Sequence, residues 1–128
     1  MGAELVRLKI RADFLRVAAT RHSAIRPGLV LQAASRPDAS ESSAAVRVGF
    51  TASRKVGNAV SRNRAKRRLR AAAASVLPYQ GRPGTDYVLI ARASTADRHY
   101  PALVADLEVA LRRLNDSAAR KRSAAAER

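Results

Sequence analysis

Between Glu41 and Asp86 the chain carries ten basic residues and no acidic one: Arg47, Arg54, Lys55, Arg62, Arg64, Lys66, Arg67, Arg68, Arg70 and Arg82. No element built from this stretch can neutralise its own charge, so it must turn those side chains outwards and bury only a narrow apolar remainder. That remainder has a helical period. Ala65, Leu69, Ala72 and Val76 recur at steps of four, three and four, which predicts a helix over 59–77 with one buried stripe. Asn58 stands where an N-cap belongs, and Pro78 predicts the end. Arg64 and Arg68 then form one neighbouring pair on the exposed side, Arg62, Lys66 and Arg70 form a second ridge, and Arg67 lies between them. Like charges at this spacing destabilise a free helix, whereas phosphates placed opposite them form charge-assisted hydrogen bonds.

The whole chain has 25 basic and 10 acidic residues, a net charge of +15. Ten of those fifteen charges sit in the acid-free third, and the remainder has the composition of an ordinary mixed surface. An excess this localised points to a polyanion, with nucleic acid first. Arginine outnumbers lysine 21 to 4. Guanidinium forks suit phosphates and bases, although a coding bias towards arginine and alanine produces the same ratio without producing the net charge.

Of 60 apolar residues 28 are alanine, leaving 32 larger ones for a core. That suffices for one thin two-layer domain over 1–115, followed by a basic tail over 116–128 that either extends the last helix or frays. No apolar run is long enough to cross a bilayer, and the first eleven residues lack the apolar stretch of a signal peptide. With no cysteine, the reading is a cytoplasmic protein without a membrane partner.

Along the chain, 11–20 reads as a short helix with Phe14, Leu15, Val17 and Ala18 as its apolar stripe. Pro27-Gly28 punctuates, 29–34 is a strand, and 36–43 is a polar turn. Val46, Val48 and Phe50 alternate as a half-buried strand expected to pair antiparallel with the one before it. Gly49 within it suggests a bulge or the close approach of another backbone. Residues 87–91 form a strand buried on both faces. A last helix over 100–114 presents Leu103, Leu107, Val109, Ala110, Leu111 and Leu114. The order αββαβα predicts an α+β sandwich: a three-stranded sheet with helices mainly on one face and a cleft left open beside the first helix.

Protein-borne catalysis has little to work with. His22 and His99 lack metal-ligand spacing, Ser53 beside Arg54 and Lys55 has no general base, and the acids are expected in turns or on the exposed side of the last helix. There is no Gly-Lys-Ser or Gly-Lys-Thr phosphate loop. Five aromatics are too few for a base-reading sheet of the RRM type. Phe50 and Tyr87 are assigned to the core, whereas Phe14 either joins the core or, where the first helix lines the open cleft, offers a ring that can stack on a base.

The stretch Arg47-Val48-Gly49-Phe50-Thr51-Ala52-Ser53-Arg54-Lys55-Val56-Gly57-Asn58-Ala59-Val60-Ser61-Arg62-Asn63-Arg64-Ala65-Lys66-Arg67-Arg68-Leu69-Arg70 resembles the signature of the bacterial ribonuclease P protein subunit. Gly57-Asn58-Ala59-Val60 followed by Arg62-Asn63-Arg64 is its most specific part. Segments 7–17 and 86–92 are also similar, and the likeness covers roughly residues 5 to 115. The resemblance implies a ribosomal-protein-like fold whose mixed sheet carries a left-handed βαβ crossover through the basic helix, against the usual right-handed rule. It implies a monomeric protein in a 1:1 ribonucleoprotein with a catalytic RNA, which removes the 5′ leader of precursor tRNA using Mg²⁺ held mainly by RNA and none by the protein alone. Carried over, Arg62, Asn63, Arg64, Lys66, Arg67, Arg68 and Arg70 dock on the catalytic RNA. Phe14, Ala18, Gln32, Ser53, Arg54, Lys55 and Arg92 belong to the leader cleft.

Two departures stand out. Ala18 and Gln32 occupy positions where the family often has aromatics, and Ser53 stands where a lysine is sometimes found. The cleft should therefore lean on Phe14 and backbone contacts. A structural ribosomal-RNA-binding protein of related fold explains the charge but not the Arg-Asn-Arg signature. A DNA-binding module or a protein enzyme explains less.

Overall fold

The structure is a computed structural model that describes residues 2–36 and 45–126, with 118–126 as backbone only. Apart from Arg36, the turn expected over 36–43 lies outside the described residues.

The basic helix begins as its capping residue requires: the Asn58 side chain accepts a hydrogen bond from the Ser61 N–H at 2.9 Å. This helix, α2 (Ala59–Gln80), buries Ala65, Leu69, Ala72 and Val76, and adds Ala73 and Leu77 on the same face. It runs through Pro78 instead of stopping there. Proline cannot donate to the carbonyl four residues back, but that carbonyl belongs to Ala74, which is exposed to water. Beyond the proline, the Gly81 N–H closes the helix on the Leu77 carbonyl at 2.9 Å. The Pro78 carbonyl accepts the Ala3 N–H at 2.6 Å and ties down the N-terminal segment.

The sheet has five strands in the order β1 (Leu5–Arg7), β4 (Val46–Thr51), β5 (Thr85–Ala91), β3 (Leu29–Ser35), β2 (Ser23–Ile25). The antiparallel pairing expected between β3 and β4 does not occur, because β5 lies between them, antiparallel to β3 and parallel to β4. The reason is burial. A central strand needs apolar groups on both faces, and β5 is buried along almost its whole length. The β4–α2–β5 connection, through a crossing helix, suits a parallel pair. Sequence reasoning missed β1, parallel to β4, and β2, antiparallel to β3. Three residues each are too few to display a period.

One face of the sheet packs against α2 and against α3 (Tyr100–Ala126), which continues past the expected end at 114. Phe50 and Tyr87 join this core as expected, with Leu29, Leu31, Val48 and Leu89. From α3 come Leu103, Leu107, Ala110, Leu111 and Leu114, while Val109 is only half-buried.

Among the described residues, the opposite face carries α1 (Arg11–Ala19) alone. Its expected stripe does not form: only Val17 is buried, Phe14 is half-buried, Ala18 is exposed and Leu15 is 56% exposed. A nine-residue helix covers only part of this face. Beside it Val30, Ile90 and Thr51, aligned in register across β3, β5 and β4, remain half-buried.

Candidate nucleic-acid interface

The row Val30, Ile90 and Thr51 forms the floor of an open cleft whose wall is α1. Phe14 stands at that wall, and Ala18 follows one turn later. The space above Gly49 is filled by the Phe14 ring: a Cβ on Gly49 would lie 2.4 Å from two of its carbons. The close approach expected at this glycine is thus made by a side chain and not by a second backbone. Gln32 is half-buried on the same sheet face, in register with Val88. The C-terminal end of α1 is fastened nearby, where the Thr20 hydroxyl donates to the Ala33 carbonyl at 3.1 Å.

At the end where β4 and β5 finish, exposed Ser53 leads into a 3-10 turn, Arg54–Val56, that carries Arg54 and Lys55 at the rim. Exposed Arg92 follows β5 at the same end, with its Nη1 donating to the Arg26 carbonyl at 2.7 Å. The predicted cleft residues are therefore distributed over one sheet face, its covering helix and one rim. Lys9 and Arg11 were missed. With Phe14, Phe50 and Thr51 they line a pocket at the mouth of the cleft. The signal was available in two cations at the start of the first helix, Lys9 just before it and Arg11 as its first residue.

A buried acid seats α1. Asp86 is fully buried and accepts hydrogen bonds from Arg47 Nε at 2.7 Å, Arg47 Nη2 at 2.6 Å and Arg36 Nη1 at 3.0 Å, and a further one from Arg16 Nη2 on α1. Asp13 adds contacts of 3.7 Å to Arg47 and 3.8 Å to Arg16. Burial alone would raise the Asp86 pKa. The hydrogen bonds from Arg47 and Arg36, with the charges of Arg47 and Arg16, outweigh it and hold the pKa below the ordinary value. The Arg47 pKa is raised, chiefly by its hydrogen bond to Asp86. Arg47, part of the acid-free block, is thus neutralised from outside that block. Its partner was hidden by a separation of 39 residues.

Asp106 is a second buried acid, against the expectation that acids line turns or an exposed helix face. It accepts from the Gly28 N–H at 3.0 Å and from Arg98 Nε at 2.6 Å.

On the outer side of α2, Asn63, Arg64, Arg67 and Arg70 are exposed, and Arg62 and Lys66 are half-buried. Among the described residues none of these cations has an ion-pair partner. Arg68 differs. Its Nε donates to the Thr95 carbonyl at 3.0 Å, its Nη2 donates to the Arg98 carbonyl, and its guanidinium lies 5.9 Å from the centre of the Tyr100 ring. Gly57, which precedes the cap, has φ of 141°, a conformation that favours glycine.

Among the described residues no group of three or more His, Asp or Glu side chains could hold a metal ion. No helix among them is long and apolar enough to cross a membrane.

The family model described as Ribonuclease P matches residues 3–115. The ribonuclease P protein component of Paramagnetospirillum magneticum is 54% identical over 114 residues, covering 89% of this chain and 86% of the relative. That of Ruegeria pomeroyi is 54% identical over 109 residues, covering 84% and 85%. A solved structure of the Staphylococcus aureus RNase P protein superposes with a TM-score of 0.67 at 28% identity, over 83% of this chain and 92% of that one. The Thermotoga maritima RNase P protein, at 23% identity, shares the fold with a TM-score of 0.66, over 83% and 96%.

Proposed function

Because the chain belongs to the ribonuclease P protein family, and so is a component of an RNA-containing endoribonuclease of tRNA 5′ maturation, we propose that it bridges two RNAs through opposite faces of one sheet. The outer face of α2, with Arg62, Asn63, Arg64, Lys66, Arg67 and Arg70, docks on a catalytic RNA. The cleft under α1 takes the single-stranded 5′ leader of precursor tRNA, with Phe14 offering a ring to a base and Arg54, Lys55 and Arg92 offering charge at the rim. Ala18 and Gln32 leave more of the floor to aliphatic and backbone contacts.

The observation that carries this reading is the separation of the two surfaces. The cations without an ion-pair partner among the described residues belong to a helix packed on one face, and the open cleft lies on the other. Phosphate contacts along α2 would position the protein without reading sequence, and a stacked base would supply about 1–3 kcal/mol. Mg²⁺ and the chemistry are assigned to the RNA, as the likeness to the family implies. One protein per catalytic RNA, in the cytoplasm, completes the reading.

Reconstitution tests it. The protein, its own catalytic RNA and 5′-labelled precursor tRNA are combined at low Mg²⁺ and moderate salt. We expect RNA alone to be inactive and the mixture to cut at the mature 5′ end. Tight RNA binding without stimulation would leave a structural RNA binder instead.

A further inference from the structure

Arg68 sits among the cations of α2, yet its guanidinium is turned to the chain's own backbone. It reaches the Thr95 and Arg98 carbonyls in the segment joining β5 to α3. The same segment is held from its other side by the β2–β3 turn. The Thr95 hydroxyl donates to the Gly28 carbonyl at 2.6 Å and accepts the Arg92 N–H at 2.7 Å, and the Ser94 hydroxyl donates to the Pro27 carbonyl at 2.6 Å. Thr95 is fully buried. Arg92, at the cleft rim, is the first residue of this segment. A continuous path of hydrogen bonds therefore runs from α2 through Arg68 and Thr95 to Arg92.

We propose that Arg68 is a positioning residue which couples the RNA-docking helix to the cleft rim, and not itself a phosphate contact. This deepens the function proposed above and rests on it. The guanidinium fork suits the task because it holds two carbonyls three residues apart with fixed geometry. A lysine ammonium keeps the charge but is a single point and does not reproduce the planar fork. Charge and geometry can therefore be separated by substitution.

The experiment uses the reconstituted holoenzyme with Arg68→Lys, Arg68→Ala, Thr95→Val and, as a control on the docking face, Arg64→Ala. Two quantities are read below each variant's melting temperature. One is the salt dependence of binding to the catalytic RNA. The other is the ratio of affinities for leader-bearing precursor and mature tRNA. Arg64→Ala should reduce the log–log salt slope by about 0.7–0.9. Arg68→Lys and Thr95→Val should keep the wild-type slope and lower the affinity ratio by about three- to tenfold, the first by displacing a charge-assisted contact and the second by removing the neutral hydroxyl link. Thr95→Val removes the hydroxyl link without touching a cation, so the proposal can be tested even where Arg68→Ala does not fold. A slope reduced by Arg68→Ala as much as by Arg64→Ala, or a wild-type ratio in either Arg68→Lys or Thr95→Val, overturns the proposal. An unchanged slope in Arg64→Ala overturns the docking surface instead, and the two failures are thereby distinguished.

Discussion

The ring of Phe14 occupies the place that a side chain at Gly49 would need, with two ring carbons 2.4 Å from where a Cβ would stand. The glycine lets α1 settle close to β4 and sets how far Phe14 stands from the cleft floor. Gly49→Ala should push ring or strand aside and cost about 1–3 kcal/mol, as overpacking does. Urea unfolding reads that cost, and wild-type stability would show that the ring swings away freely.

Under the proposed function, Phe14→Ala tests leader capture apart from RNA docking. Phe14→Ala should leave binding to the catalytic RNA unchanged and reduce the preference for precursor over mature tRNA by roughly 5- to 150-fold, equivalent to the 1–3 kcal/mol of one stacked base. Equal losses for both tRNAs would assign the ring to packing alone.

Asp86 makes stability depend on pH in a defined direction. Its pKa is lower in the folded chain than in the unfolded one. Its contribution is therefore complete above the unfolded value of about 3.9 and disappears as pH falls through the lower folded value. Asp86→Asn leaves three arginines around a neutral amide and should cost about 3–5 kcal/mol at pH 7. It should also flatten the acid limb of the stability curve below about pH 4. Denaturant titrations from neutral pH down to 3 compare the two limbs. Parallel limbs would remove Asp86 from the acid response.

The start of α2 depends on one side chain. Asn58→Ala removes the acceptor for the Ser61 N–H and should cost about 0.5–2 kcal/mol, while Asn58→Gly should cost only a few tenths. Thermal melting of the three proteins orders them, and an Asn58→Ala protein as stable as wild type would show that water caps the helix equally well.

Much of this molecule was legible along the chain. The stripe from Ala65 to Val76, the cap at Asn58 and the alternation of Val46, Val48 and Phe50 arise from neighbours within one or two turns, and such periods survive in a linear text. The acid-free block marked the exposed cations of α2 for the same reason, and the Gly-Asn-Ala-Val and Arg-Asn-Arg segments carried the family likeness. Lys9 and Arg11 were equally visible but stood outside the block that drew attention.

What the sequence by itself determined is which of the longer segments form helix or strand and where the positive surface lies, because these depend on local spacing and on charge that nothing nearby cancels. The tertiary structure alone decided that β5 would separate β3 from β4, that Asp86 would gather Arg16, Arg36 and Arg47, and that Arg68 would face the backbone at Thr95 and Arg98. Those relations join residues 27 to 70 positions apart. Their partners are selected by burial and by the need to satisfy charge and hydrogen bonds away from water, and those demands exist only once the sheet and helices have come together.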